Sequence, residues 1–175
     1  MTDNITIEFD SAPLADALDR LATALGPAGM APAMKKIGEA LAESTRLRFV
    51  TSTAPDGRRW APNAERTYLG LLGEGDLRKD GRINARGTAK AAGKKPLIAT
   101  RQLSDSIVWQ LIDGDTGVVV GTNRFADKWD AGAAVHHFGN RKGTIPARPF
   151  LGLSAADEAR VHDIIERHVL GAQGG

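Results

Sequence analysis

Asp115-Thr116-Gly117 has the residue types of an aspartic-protease triplet, whose chemistry needs two such aspartates sharing one proton. A homodimer would supply the second copy. The preceding Asp113-Gly114, however, makes the run an acidic, glycine-rich hairpin turn instead of a catalytic loop braced by apolar residues. His136 and His137 are adjacent, so on a helix they point about a quarter turn apart and cannot chelate one ion together. His162 and His168 are six apart and miss the i, i+4 zinc spacing. Gly73-Glu74-Gly75 follows no strand pattern and reaches no third glycine at the right place, so it is not a dinucleotide loop. No serine sits in a Gly-x-Ser-x-Gly elbow, and the absence of cysteine removes thiolate nucleophiles. The expectation is a non-enzyme with no catalytic, cofactor-binding or metal-ligating residue.

Two other groups carry more weight. Arg78, Lys79, Arg82, Arg86, Lys90, Lys94 and Lys95 lie among glycines with few apolar residues between them. They offer phosphate contacts without aromatics for base stacking, so nucleic-acid binding here would be salt-sensitive and indifferent to sequence. The glycines and the small overall charge favour a solvated loop instead. The second group is Ile145-Pro146-Ala147-Arg148-Pro149-Phe150-Leu151-Gly152-Leu153, just after His136-His137-Phe138-Gly139. Its two prolines fix φ and bias Ile145 and Arg148 towards extended backbone, so an apolar ledge and one guanidinium are held on a stiff segment. Stiffness of this kind positions surfaces, which points to assembly. Trp60 on its loop reads either as an interface anchor or as core, and Arg148 either as a bridge to a neighbouring subunit or as an internal ion pair. Phe150 and Leu151 are open in the same way, between interface and core.

The elements that must position these groups belong to one domain spanning 1–175. Hydrophobic residues make up 42% and charged residues 25%, enough for a real core and against disorder throughout. With no cysteine there is no disulfide framework, which fits a reducing compartment. The formal net charge of +2 is too small to draw the whole molecule onto nucleic acid. The first ten residues lack the pattern of a secretion signal, and no stretch approaches a membrane span.

Ile5 to Asp10 alternates apolar with polar, as an edge strand or an arm would. Leu14, Leu18, Leu21 and Leu25 predict a helix stopped by Gly26 and Pro27. A second, antiparallel helix is expected from near Pro32 to about Phe49, with Met34, Ile37 and Leu41 inside and Lys35, Lys36, Glu39 and Glu43 outside. Residues 54–96 break the pattern, beginning with a turn at Pro55-Asp56-Gly57, and read as an irregular, partly mobile basic loop. Ser104 to Leu111 and Val118 to Gly121 then flank Asp113-Gly114 as a hairpin. A helix capped by Asn123 carries Phe125, Trp129 and Ala133 and ends at Gly139. Ser154 and Asp157 resemble a capping box for a last helix to about Leu170, with Val161, Ile164, Ile165 and His168 on its buried face and a frayed tail at 171–175. The expected class is α+β, a small antiparallel sheet packed against N-terminal and C-terminal helices, with a long irregular basic loop.

In order along the chain, Pro55-Asp56-Gly57 with Trp60, Leu103 with Ser106-Ile107, Val120-Gly121-Thr122, His136 to Gly139 and Ile145 to Leu153 resemble the phage virion morphogenesis family, over roughly Leu41 to Leu170. Thr100 is followed by Arg101 where members of that family usually carry glycine. The resemblance implies a structural protein of tailed-phage assembly, a tail completion or terminator protein or a head–tail junction (neck) subunit. It implies a homo-oligomeric ring, hexameric by family expectation, that contacts tail tube or connector proteins, with DNA passing through its lumen a further option. The location it implies is the virion, after assembly in the host cytoplasm. The assembly candidates are Trp60, His136, Phe138, Gly139, Ile145, Pro146, Arg148, Pro149, Phe150 and Leu151. A nucleic-acid-binding factor using residues 78–95 is the alternative.

Overall fold

The computed structural model describes residues 12–98, 100–124 and 132–173. The long second helix, α2 (Pro27–Thr51), is the centre of the fold, and the first helix, α1 (Ala12–Leu25), precedes it across the single residue Gly26. Pro27 stands in the first helical turn of α2, where its missing N–H costs nothing. The helix therefore starts five residues before the expected Pro32, which lies inside it on an exposed side near the end, where little of the hydrogen-bond ladder is lost.

Met34 and Ile37 are buried on α2, as their spacing predicts, and Lys35, Lys36, Glu39 and Glu43 are exposed. The stripe of α1 is covered less than its periodicity suggests, since Leu18 and Leu25 remain exposed.

Strands β1 (Ile107–Ile112) and β2 (Gly117–Thr122) form an antiparallel hairpin in which Ile107 faces Thr122 and Ile112 faces Gly117. The turn runs through Asp113-Gly114-Asp115-Thr116, with Asp113, Gly114 and Asp115 all at positive φ. Asp115 of the protease-like triplet thus serves the turn. The hairpin packs on α2 at Gly38, where an added Cβ would lie 2.5 Å from the Trp109 ring. Ser104, expected as strand, sits instead in a short helix, α5 (Gln102–Asp105), that leads into β1.

The last helix, α7 (Ala155–Gln173), packs along α2 and α1. The capping box ahead of it is formed: the Asp157 carboxylate accepts from the Ser154 N–H at 2.9 Å, and the Ser154 hydroxyl accepts from the Asp157 N–H at 3.2 Å. The core cluster joins Ala42 and Phe49 of α2 to Trp60, Leu103, Ile107, Ala133 and Phe150. The chain is α+β, with helices dominating a two-stranded sheet among the described residues.

Residues 54–96 hold more local order than their composition shows. They contain α3 (Glu65–Leu69), a 3-10 turn at Glu74–Asp76 and α4 (Ala85–Ala92). No helix among the described residues is long and apolar enough to cross a membrane. Ile5 to Asp10 and the segment with Phe125 and Trp129 fall outside the described residues.

Candidate assembly site

The helix α6 (Gly132–Phe138) ends where expected, at Gly139 with φ 79°, whose N–H bonds to the Val135 carbonyl. Only glycine fits there on two counts. Its φ is left-handed, and a Cβ would lie 3.0 Å from both the Ala147 nitrogen and the Ile145 oxygen, because the Pro-rich ledge returns directly across it. Asn140 closes that return: its N–H bonds the Ile145 carbonyl, and its side-chain oxygen accepts from the Ile145 N–H, both at 3.0 Å.

Four side chains then fix the ledge to the core. Trp60 Nε1 donates to the Pro149 carbonyl at 2.8 Å, and its ring meets Phe49 edge-on at 5.4 Å. Arg148 Nε and Nη2 donate to the carbonyls of Ala61 and Pro62 at 2.8 and 2.7 Å. His137 Nδ1 accepts from the Phe150 N–H at 3.3 Å while its ring packs edge-on against Phe150, which is fully buried. Arg48 reaches out of α2 to the carbonyls of Phe150 at 2.8 Å and Gly152 at 2.7 Å, and forms a buried ion pair with Asp157.

These bonds sort the candidates. Trp60, Arg148 and Phe150 are buried in their own subunit, and Arg148, open in the sequence between a bridge to a neighbour and an internal ion pair, bonds two internal carbonyls. Its chemistry explains the choice: a planar guanidinium satisfies two carbonyls that a loop would otherwise leave open. Ile145, Pro146, Pro149, Leu151, His136 and Gly139 are half-buried. Phe138 is 76% exposed, at the end of α6 beside the fixed ledge.

Charge placement follows from the same contacts. Burial pushes the His137 pKa down, so the imidazole is held neutral, as its acceptor role requires. Burial acts to raise the Asp157 pKa, but hydrogen bonds from Ser154 and Ser44 and the charge of Arg48 outweigh it, and the net direction is downward. Burial lowers the Arg148 pKa from that of a free guanidinium, which leaves it fully charged at neutral pH.

The ledge also forms one wall of a cleft of about 490 Å³ whose other wall is residues 94–103. Leu97, Leu103, Ala133, Ile145 and Pro146 supply apolar lining; Lys94, Lys95, Arg101 and Arg124 supply cations. No aspartate or glutamate lines it among the described residues.

The basic stretch folds around Asp76, a residue the sequence does not single out. Its buried carboxylate accepts from the Gly73 N–H at 3.0 Å and from Lys90 Nζ at 2.9 Å, and faces Arg86 Nε at 3.4 Å. The Gly73 bond and then Lys90 are the chief causes that hold its pKa below the usual carboxylate value. Asn84 caps α4 through Gly87, and a bridge between Leu77 and Ile83 closes the exposed turn carrying Arg78, Lys79 and Arg82. The seven cations are therefore not one patch. Arg86 and Lys90 face Asp76, Lys95 donates to the Val50 carbonyl at 2.7 Å, and Lys94 lies on the cleft.

The model of the phage virion morphogenesis family matches residues 9–170, nearly the whole chain. The chain belongs to the phage virion morphogenesis family. No curated protein and no solved structure matches it. Membership extends the resemblance seen from Leu41 onwards back through α1, and supports a structural role in building the phage particle. The ledge and the segment before it, which carry the resemblance, are the parts most heavily pinned to the core. Arg48 and Asp157 share in that pinning, and one signal for Arg48 was available: a charged residue on the inward stripe of α2, one residue before Phe49.

Proposed function

We propose that this protein is a ring-forming subunit at the end of the phage tail or at the head–tail junction, contacting tail tube or connector proteins. One observation carries the reading within the family: Phe138 stands 76% exposed on a segment whose neighbours are fixed by Trp60, His137, Arg148 and Arg48. A large aromatic side chain on a rigid mount enters an interface with little loss of conformational entropy, as interface anchors do. Ring closure needs one such patch meeting a different patch on the next copy. The test joins two measurements. Sedimentation of the purified chain should give a closed oligomer, which Phe138→Ser weakens by tenfold or more in concentration without lowering the thermal midpoint. Electron microscopy of particles made without the protein should show finished heads and tails left unjoined. A chain that stays monomeric and never enters particles overturns the reading.

A second reading, non-specific nucleic-acid contact, rests on the tight turn from Arg78 to Arg82. The Arg78 N–H bonds the Arg82 carbonyl at 2.7 Å and Gly81 takes φ 80°, so three cations are held on one exposed turn above Asp76. Fluorescence anisotropy with duplex DNA should show affinity that falls steeply with salt, and a shallower salt slope once Arg78, Lys79 and Arg82 are neutralised. No binding even at low salt removes this reading. The two are compatible if the turn lines the lumen of the ring.

A further inference from the structure

We propose that the cleft between residues 94–103 and the ledge receives the N-terminal segment of a second copy of the chain, residues 3–10. This inference rests on the oligomer reading above. Three observations carry it. The cleft combines apolar lining with a cationic rim, and neither Lys94 nor Arg101 forms an ion pair with a described residue. Next, two non-glycine residues on its wall, Leu97 and Arg101, hold φ 61°. That conformation is strained for a residue that carries a Cβ, and glycine would adopt it freely. Arg101 thus places a long cation on the wall at a strained backbone position, and strain of this sort gathers at ligand clamps.

The third observation concerns the occupant. Nucleic acid or free phosphate would use the cations and leave the apolar lining bare. An acidic segment with regular apolar side chains uses both. The chain carries one outside the described residues: Ile5, Ile7 and Phe9 alternate with polar positions, and Asp3, Glu8 and Asp10 supply three carboxylates with no Lys or Arg among residues 1–11. Eleven residues can span at most about 36 Å, which sets the limit of the segment's reach. Glu8 and Asp10 complement Lys94 and Arg101, while Ile5, Ile7 and Phe9 complement Leu97, Leu103 and Ile145.

The lack of cysteine makes the test clean. Full-length Glu8→Cys and Arg101→Cys chains are mixed and oxidised, with each alone and Glu8→Cys plus Glu39→Cys as controls, Glu39 being exposed on α2. The expected result is a disulfide-linked dimer several-fold above every control. An intact oligomer with no such dimer overturns this inference and leaves the oligomer reading standing; a monomer at every concentration overturns both. A link formed only within the Glu8→Cys/Arg101→Cys double variant assigns the segment to its own subunit and also overturns the proposal. Arg101→Gly supplies an independent arm: it relieves the left-handed backbone, so the thermal midpoint holds or rises, while oligomer dissociation shifts about tenfold to higher concentration. Loss of fold and oligomer together would make Arg101 structural only. Duplex DNA that abolishes the cross-link, and that Arg101→Gly no longer binds, would give the cleft to nucleic acid.

Discussion

At the scale of single residues, Arg48 does the most connecting: one guanidinium joins α2 to the carbonyls of Phe150 and Gly152 and to Asp157 at the start of α7. Asp157→Ala would leave that charge buried without its counter-ion, a change that costs about 3–5 kcal/mol. Urea unfolding should record a loss of that size, and replacing both partners by apolar residues should recover much of it. His137 gives the fold a pH dependence with a definite sign. Its pKa is lower folded than unfolded, so its contribution is complete above the unfolded value near 6.5 and declines as pH falls through the interval below it. Asp157 acts in the same sense but lower: its stabilisation is present above the ordinary value of 3.8 and is lost as pH falls towards the depressed folded value. Thermal midpoints measured from pH 8 to 3 should therefore fall in two stages, and His137→Gln should remove the upper one.

At the scale of elements, the junction between α2 and the hairpin depends on having no side chain at Gly38. Alanine there places a carbon 2.5 Å from the Trp109 ring. Overpacking costs about 1–3 kcal/mol, against a gain of up to about 1 kcal/mol in helix propensity. Gly38→Ala should thus destabilise by about 1–2 kcal/mol in urea, and Trp109→Leu should soften the effect. The segment around Asp76 behaves differently, because its bonds are mostly to itself. Asp76→Asn should speed tryptic cleavage at Arg78, Lys79 and Arg82 several-fold while the global thermal midpoint changes little. Intact protease resistance would show that α4 and its cap hold the turn without the carboxylate.

How much of this the sequence discloses depends on the element. The outward charges of α2, the Asp113-Gly114 turn, the Gly139 stop and the Ser154–Asp157 cap are legible because each rests on local chemistry. The start of α2 was displaced because Pro27 and Pro32 both suit a helix start, and only tertiary packing ranks one above the other. The order around Asp76 was hidden because one of three acids among many bases reads as solvated until the bases are seen to face it. Core and interface could not be told apart at Trp60, Phe150 and Arg148, since the same residue types serve both, and only their partners decide.

At the scale of the whole molecule, the two contacts proposed above would make separable contributions to the ring. In the proposed ring Phe138 would contribute apolar contact and should be insensitive to salt, whereas the proposed occupant of the cleft would bring Glu8 and Asp10 to Lys94 and Arg101. Raising salt from about 0.05 to 0.5 M should therefore weaken the proposed oligomer. Arg101→Gly should remove most of that salt response and Phe138→Ser should leave it, a contrast that sedimentation can read directly.

The reach of Arg48 also bears on how the subunit is made. Its partners lie 102 to 109 residues further along the chain, so this one fastening of α2 forms only after the ledge and the start of α7 are in place. Contacts so distant in sequence close late. A chain cut short before Asp157 would retain the partners of the ledge at Trp60, Ala61 and Pro62 but would lose the Arg48–Asp157 ion pair and α7, leaving the Arg48 charge without its counter-ion.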